Sequence, residues 1–573
     1  MLRRTDCLIL KAVVYAFLLK RLIYGNSIYK IKKTKVVFSN LIAEEYMEEE
    51  MGKSVAKTVG LVMIITMLCR VMGLLSNQVY MTFFGVSTEI DIYSYAVNFQ
   101  LYVINCLGTA IITVMIPMFA GFIGTGEKKR AYKFADNVIT LSFVLAAILA
   151  VLGILFSPEI VKLTHFNTPE YFDFAVKALR IMFPVLIFYT LTYTLQGILQ
   201  AQGSFLVPAS ISLYNSIAII LYVFFLGDRF GVIGLLIATL IGLSLQALVQ
   251  IPAIYRTEYR YRPSFSLMNP DILNTLKLVP PILISSSAYQ INMIYNLSTA
   301  SKFENTVALV VLGQNLVLQA VLALAISMTS VMFPRLTTMV AKGDMSGFKQ
   351  SVIKLLKTMI FLILPMTIGL AAVSRETIGF IYGYGKFTNE NIIVAAKIVA
   401  LYSIGGVGLG IKEVTDKAFY SLKDTMKPAI VGIVMMVSNI LMSLILLPFM
   451  GVYAIPASYS IAGIMGGLSG VIILRRKVGP FGLSSLYSFA IKTIISTGAM
   501  IAVVLPLAFL FENILGRALF PGTLGLVAAN LIKLFVPVGV GVVVFFVLAI
   551  KLEIKEAVET LDKIKGKIRL KKV

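Results

Sequence analysis

The chain is poor in the residues that carry most enzyme chemistry. Its 573 residues include no Trp, one His and three Cys. Cys7, Cys69 and Cys106 show no metal-ligand spacing, and His165 has no second histidine to pair with. No paired carboxylates and no phosphate-cradling glycine loop accompany them. The sequence therefore predicts that the protein is not an enzyme and holds no metal or cofactor.

Charge is also scarce: 14% of the residues are charged, whereas 58% are apolar. No water-soluble fold has enough interior for so many apolar side chains, so the excess must face lipid. We predict a polytopic membrane protein. This class excludes a soluble enzyme and a nucleic-acid-binding module, although the net charge of +23 would otherwise suggest one.

Long apolar runs recur along the chain after residue 55. Crossing a hydrocarbon core of ~30 Å takes about 20 apolar residues in a helix. The predicted fold class is an all-α integral membrane protein with fourteen transmembrane helices. The predicted spans are 57–83, 91–120, 136–157, 175–200, 207–227, 231–254, 276–299, 305–334, 352–374, 391–420, 428–449, 451–474, 486–511 and 524–550.

Lys and Arg cluster in alternate loops, as in Lys128–Lys133, Arg256–Arg262 and Arg475–Lys477, and again after residue 550. Such loops belong on the cytoplasmic side of a membrane. The pattern predicts that both termini are cytoplasmic, and it accounts for much of the positive net charge.

The sequence repeats itself over a long period. Thr113–Pro117 (TVMIP) aligns with Ser330–Pro334 (SVMFP), and Gly231-Val232 aligns with Gly451-Val452. Such a period predicts two homologous bundles related by a pseudo-two-fold axis, with a cavity between them that suits alternating access. The predicted units are an N-lobe of six helices (51–256), a C-lobe of six helices (257–485), two appended helices (486–550) and a basic cytoplasmic tail (551–573).

Two interpretations of residues 1–50 stay open. The apolar stretch 8–23 is interrupted by Lys11, Lys20 and Arg21, which is compatible with an amphipathic helix on the membrane surface. Alternatively, translation starts at Met51 and this N-terminal extension is not made.

Polar side chains inside the spans are candidates for a cavity wall, because charge at membrane depth costs a few kcal/mol. Arg70 is the clearest case. Asp91 can pair with a cation or cap its helix, and a helical stripe carries Ser285, Tyr289, Asn292 and Asn296. Asn315 adds an amide, for which simple helix–helix hydrogen bonding is the alternative.

The tenth span ends in two possible i,i+4 ion pairs, Lys412 with Asp416 and Glu413 with Lys417. Either these charges simply neutralise one another at the cytoplasmic end of the helix, or they contact an anion near the cytoplasmic opening of the cavity. The candidate substrate-binding residues are Arg70, Asp91, Asn292, Asn296, Asn315 and Lys412.

Three segments carry a family resemblance. They are CRVMGLLSNQVYMTFFGVSTEIDIYSYA (69–96), IYGYGKFT (381–388) and AFYSLKDTMKP (418–428). Together they resemble the MurJ (MviN-like) lipid II flippases, a branch of the multidrug/oligosaccharidyl-lipid/polysaccharide exporter superfamily. The resemblance covers roughly residues 52–550.

The resemblance implies a cationic cavity in the bacterial cytoplasmic membrane, which accepts an undecaprenyl-pyrophosphate-linked sugar peptide and moves it outward. Cationic donors must replace the hydration of the pyrophosphate. Arg70 and Asp91 match family positions, whereas Ser76, Ile104 and Asn315 stand where the family has arginines. The predicted lining is therefore less cationic than the family's.

The leading hypothesis is a flippase for a polyprenyl-diphosphate-linked cell-wall precursor, with lipid II as the main candidate. Its partners would be that lipid-linked oligosaccharide, membrane lipids and other cell-wall synthesis proteins. Membrane potential and a coupled cation are both open as driving forces. The alternatives are a flippase for a capsule, spore or teichoic precursor, a multidrug antiporter, a non-transporting scaffold of wall synthesis and, with least support, a membrane glycosyltransferase.

Overall fold

The computed structural model describes residues 60–266, 269–515 and 523–558. Within these ranges every regular element is a helix. The predicted N-terminal extension, the start-codon alternative and the tail beyond residue 558 lie outside them. The first repeat contains α1 (Gly60–Phe84), α2 (Thr88–Gly124), α3 (Lys128–Lys162), α4 (Phe172–Met182), α5 (Val185–Ala201), α6 (Leu206–Leu248) and α7 (Gln250–Tyr255).

The remaining described helices form a second repeat and a C-terminal pair. The second repeat contains α8 (Pro270–Ala300), α9 (Val307–Ala341), α10 (Met345–Ala372), α11 (Ser374–Tyr382), α12 (Asn389–Ile404), α13 (Gly406–Ser421), α14 (Met426–Met450) and α15 (Ala454–Val478). The pair consists of α16 (Leu483–Leu515) and α17 (Thr523–Lys551), which pack on each other and on α10.

Eleven helical stretches in the described residues are long and apolar enough to cross a membrane. Two of them, Leu206–Tyr255 and Met426–Val478, each cover two predicted spans. Helix α8 is not among the eleven, but it coincides with the predicted span 276–299. The all-α membrane fold is confirmed, and the helices are consistent with fourteen crossings.

Each double stretch is a hairpin that reverses at a glycine. Gly231 has φ 56° and ψ −147°, and Gly451 has φ 56° and ψ −135°. A side chain would strain either backbone. A Cβ built on Gly242 would lie 2.8 Å from the Cα of Asn215, although a straight helix would hold these residues about 40 Å apart. The two arms of α6 therefore pack side by side.

The sequence repeat reappears in the backbone. Helices α2 and α9 occupy equivalent places, and the turn after each one is made by a glycine with positive φ, 82° at Gly126 and 75° at Gly343. The hairpin glycines Gly231 and Gly451 are likewise equivalent. A duplicated fold explains both coincidences, while the lobe limits at 256 and 485 stay predictions.

Two predicted spans are broken near their middle, each at one short interruption. Span 175–200 divides into α4 and α5 next to Pro184, which has no N–H to continue the helix. Span 391–420 divides at Gly405, whose N–H donates to the Ser460 hydroxyl at 3.0 Å. A Cβ on Gly405 would lie 2.4 Å from the Ser460 Cα, so α15 can approach this break closely.

The segment that joins the repeats is docked on α3; we call residues 257–266 the linker strap. The Asp136 carboxylate accepts the Tyr259 hydroxyl at 2.7 Å and the Arg262 N–H at 3.0 Å. The Asn137 side-chain oxygen accepts the Ser266 N–H at 3.0 Å. Burial, and then the bond to Asp136, raise the pKa of Tyr259. The strap thus follows α3 through specific hydrogen bonds.

An ion pair continues this attachment into α8. Arg130 on α3 donates to both carboxylate oxygens of Asp271, with distances of 2.9 Å from Nε and 2.7 Å from Nη2. Hydrogen bonding from Arg130 lowers the pKa of Asp271. The first turn of α8, which opens the second repeat, is therefore fixed to the first repeat.

Asp136→Ala should loosen the linker strap. It removes the acceptor for both Tyr259 and Arg262, and bonds to a carboxylate contribute about 1.5–3 kcal/mol each. Limited proteolysis from the strap side of the membrane should cleave near residue 260 at least tenfold faster than in the wild type. Exposed Asp173, whose alanine variant should leave the rate unchanged, is the control. Equal rates for all three proteins would contradict this role for Asp136.

Candidate functional site

A polar cavity of about 230 Å³ lies where α2 meets α8, α13 and α14. It borders the last turn of α13 and the first turns of α14, the ends that the loop charges predict to be cytoplasmic; we call it the inner cavity. Its lining brings both repeats together, since Thr109 belongs to α2. The lining consists of Thr109, Ser286, Ala288, Tyr289, Asn292, Lys412, Asp416, Tyr420, Pro428, Ala429, Gly432, Met435 and Met436.

An amide cluster borders this cavity. The Asn439 side chain on α14 donates to the side-chain oxygens of Asn292 at 2.6 Å and Asn296 at 2.8 Å. Asn292 lines the cavity, whereas Asn296 is buried one turn away. The cluster ties α8 to α14 and fixes the orientation of the Asn292 amide.

The predicted ion pairs at the end of α13 both form. Lys412 contacts the Asp416 Oδ2 at 2.6 Å, and Lys417 contacts Glu413 at 3.4 Å. The second oxygen of Asp416, Oδ1, is buried and has no hydrogen-bond partner in the described part of the chain. The cavity wall therefore carries a neutralised pair with one acceptor left over.

At the opposite ends of the helices the two repeats are held together. The buried Asp91 carboxylate on α2 accepts the N–H groups of Val307 at 3.1 Å and Ala308 at 2.8 Å, in the first turn of α9. A carboxylate is favoured there because a helix N-terminus leaves donors unpaired and carries partial positive charge. Nearby, Thr88 donates to the side chain of Asn305 at 3.4 Å.

A second contact lies beside the first. The Lys386 N–H, in the loop after α11, donates to the Thr82 carbonyl at 2.9 Å. The flanking glycine, Gly385, has φ 58°, and a Cβ there would lie 2.4 Å from the Thr82 oxygen. We call this set of contacts, together with those of Asp91 and Thr88, the outer closure.

The predicted site residues are thus divided between places. Asn292 and Lys412 line the inner cavity, and Asn296 is in its amide cluster. Asp91 does not line it, because its carboxylate is buried and caps α9 in the outer closure, whereas Ser87 caps the helix that contains Asp91. The side chain of Ser285 lies outside those described.

Arg70 and Asn315 are not among the residues that line the inner cavity. Arg70 is exposed on α1, and in the described residues it makes no ion pair or side-chain hydrogen bond, in contrast to Lys412. Asn315 is half-buried on α9. The structure therefore does not bring all six predicted residues into one site.

Sequence reasoning missed Asn439. It is a lone amide in an apolar run, MMVSNILMS, and polar residues at membrane depth are rare enough to be a signal. The predicted site also lacked Asp416 and Tyr420. A carboxylate paired with a lysine and an aromatic side chain in an apolar helix can each be explained by a structural role alone.

The motif 418–428 forms the connection beside the cavity. Asp424 accepts the Lys477 ammonium and the N–H groups of Met426 and Lys427, each of these two at 3.1 Å. Burial raises the pKa of Asp424, but these bonds outweigh it and the pKa lies below its ordinary value. The ion pair ties the α13–α14 loop to the end of α15.

Comparison with known proteins gives concordant results. A family model described as "Lipid II flippase MurJ" matches residues 80–524. A protein named "Probable lipid II flippase MurJ" from Buchnera aphidicola subsp. Acyrthosiphon pisum (strain APS) is 26% identical over 458 residues, covering 77% of this chain and 88% of the relative.

Two solved structures share the fold. One, "Lipid II flippase MurJ, inward closed conformation", has a TM-score of 0.70 and 23% identity, covering 85% of this chain and 98% of its own. The other, an inward-facing multidrug resistance MATE family transporter of the MOP superfamily, has a TM-score of 0.59 and 18% identity, covering 73% and 97%.

Proposed function

Because the chain belongs to the lipid II flippase MurJ family, we propose that it moves lipid II, a polyprenyl-diphosphate-linked cell-wall precursor, across the bacterial cytoplasmic membrane by alternating access. Its family is one of transporters, in agreement with the prediction that the chain is not an enzyme. The substrate headgroup enters between the repeats and leaves on the opposite side.

One observation supports this mechanism: hydrogen bonds hold the two repeats together at one end, and a polar cavity lies between them near the other end. Asp91, Thr88 and Lys386 make the outer closure across the repeats, while the inner cavity lies between α2 and the second repeat. A state that is closed outside and hollow inside is suited to receive a headgroup from the cytoplasm. Breaking the outer closure would release the headgroup on the other side.

In this proposal both termini are cytoplasmic and the inner cavity faces the cytoplasm, as the loop charges predict. The partners are the lipid-linked oligosaccharide and membrane lipids. Contacts with other cell-wall synthesis proteins belong to the same proposal. The driving force is open between membrane potential, which is worth ~2.3 kcal/mol per unit charge and 100 mV, and a coupled cation.

Arg70 is assigned to the diphosphate because it is a cation that makes no ion pair or side-chain hydrogen bond within the described residues. Arg70→Ala removes a charge-assisted donor worth about 1.5–3 kcal/mol, so lipid II flipping in reconstituted vesicles should fall about ten- to a hundredfold. Arg335→Ala, at an exposed arginine on α9, is the matched control and should flip normally. Unchanged flipping by Arg70→Ala would remove Arg70 from the site.

A different lipid-linked glycan is the second candidate, favoured by the limited positive charge of the site. Lys412 is neutralised, and Ser76 and Ile104 are buried uncharged residues where the family has arginines. Vesicles that contain labelled lipid II and an unlabelled competing polyprenyl-diphosphate glycan distinguish the two. Lipid II is the wrong substrate if it is not flipped while the competitor is.

A further inference from the structure

The inner cavity has the wrong charge for a diphosphate. Among the lining residues that the structure describes, the one cation is Lys412, which lies 2.6 Å from the carboxylate of Asp416 in the same lining. The pair has no net charge, and a diphosphate entering here would approach a carboxylate as closely as an ammonium. A pyrophosphate needs an excess of cationic donors to replace its hydration. The cavity therefore suits an uncharged group.

The wall contains a buried carboxylate oxygen that has no donor in the described part of the chain. Asp416 is 7% exposed, its Oδ2 accepts Lys412, and its Oδ1 has no hydrogen-bond partner in the described residues. A buried acceptor without a partner is costly, and more so when it is charged. A ligand hydroxyl or amide N–H would satisfy it once the side chain turns towards the cavity, whereas the carboxylate would repel a phosphate oxygen. The fixed amide of Asn292 adds further hydrogen-bonding capacity to the same wall.

Two tyrosines supply the remaining recognition elements. Tyr289 and Tyr420 line the cavity and are 41% and 40% exposed. An aromatic ring has an electron-rich face, which attracts the partly positive C–H groups of a sugar ring. A volume of about 230 Å³ is below the roughly 300–1,000 Å³ of sites for drug-sized ligands. The cavity therefore has room for one ring-sized group rather than a whole headgroup.

We propose that the inner cavity is a carbohydrate subsite, which binds one sugar ring of the lipid-linked precursor. Asp416 accepts a sugar hydroxyl or acetamido N–H, Asn292 makes further hydrogen bonds, and Tyr289 and Tyr420 contact the ring. The diphosphate binds elsewhere, at cations such as Arg70 that have no ion-pair partner among the described residues. This inference rests on the proposed function and divides the headgroup between two places.

The test compares two probes with the full-length protein in nanodiscs: polyprenyl diphosphate without sugar, and the same lipid with its disaccharide. Tyr289→Leu should weaken binding of the glycosylated lipid about tenfold and leave binding of the bare diphosphate within twofold. Asp416→Asn should also weaken binding of the glycosylated lipid about tenfold, since a hydrogen bond to a charged group is worth about tenfold or more in affinity. Only Tyr289→Leu, which leaves the Lys412–Asp416 pair intact, is compared with the bare diphosphate. Tyr487→Leu, at an exposed tyrosine of α16, is the matched control.

The outcomes separate this inference from the proposed function. Equal weakening for both probes would assign the cavity to the diphosphate, and unchanged binding in both variants would show that the cavity takes no part of the headgroup; either result overturns the subsite. If the wild type neither binds nor flips the glycosylated lipid, the proposed function itself fails. Tyr289→Leu keeps the test meaningful if Asp416→Asn does not fold, because Tyr289 is partly exposed and pairs with no charged group among the described residues.

Discussion

Asp91→Ala should shift the protein from the outside-closed state towards an outside-open state. In the closed state Asp91 satisfies two buried N–H groups of α9, at Val307 and Ala308. Bonds from donors to a carboxylate contribute about 1.5–3 kcal/mol each, so the loss of both should raise the open-to-closed ratio by at least about a hundredfold. The open state is not destabilised by the substitution, because water can hydrogen-bond to the same N–H groups there.

The shift can be followed with a cysteine reporter at Ser298, whose hydroxyl lies 3.4 Å from that of Tyr95 across the repeats. A membrane-impermeant maleimide added outside should label Ser298→Cys much faster when Asp91 is alanine. Glu89→Ala, at an exposed carboxylate two residues earlier on α2, should leave labelling slow. Equally slow labelling in the Asp91 variant would show that this carboxylate does not hold the closure.

Gly385→Ala should disrupt the same closure from the opposite repeat. The residue has φ 58°, which costs a residue with a Cβ about 1–2 kcal/mol, and the added carbon would lie 2.4 Å from the Thr82 carbonyl oxygen. That oxygen is backbone, so it cannot rotate away. The loop must withdraw, and the Lys386 hydrogen bond to Thr82 is lost with it.

We expect Gly385→Ala to increase outside labelling of the Ser298→Cys reporter by tenfold or more, and to reduce flipping because the protein no longer closes. Gly379→Ala is the matched control: this glycine lies on α11, six residues earlier, and an added Cβ meets no atom within 4 Å. If both alanine variants label like the wild type, the loop after α11 is not part of the closure.

Hydropathy was sufficient to predict the membrane fold, because an apolar run long enough to span a bilayer has few alternatives to a helix. It did not predict the breaks at Pro184 and Gly405. The first has a local cause that a stricter treatment of proline would have found. The second depends on the Ser460 hydroxyl of α15, 55 residues further along the chain, and no local pattern contains that contact.

The site was predictable to the extent that polarity at membrane depth identifies it. Asn292 and Lys412 were found in this way, and both line the inner cavity. The role of Asp91 was not, since its partners lie 216 and 217 residues away. A carboxylate at a helix start looks the same in sequence whether it caps its own helix or a distant one.

The segments that carry the family resemblance cluster at the two ends of this arrangement. The turn around Gly85 and the loop around Lys386 meet in the outer closure. The segment that contains Tyr420 and Pro428 borders the inner cavity. The motifs that this chain shares with the family therefore lie at the two ends of the molecule, in the contacts of the outer closure and beside the inner cavity.

Helix α8 is attached at two places, which limits how it can move. The first turn of this helix is clamped to α3 through Arg130 and Asp271, while its later turns are tied to α14 through Asn292 and Asn439. When the two repeats rotate relative to each other, the first turn of α8 is held by the first repeat and its later turns are held by α14 of the second. Any angular change must be absorbed between residues 271 and 292, where Pro280 and Pro281 leave the helix without two of its amide hydrogens.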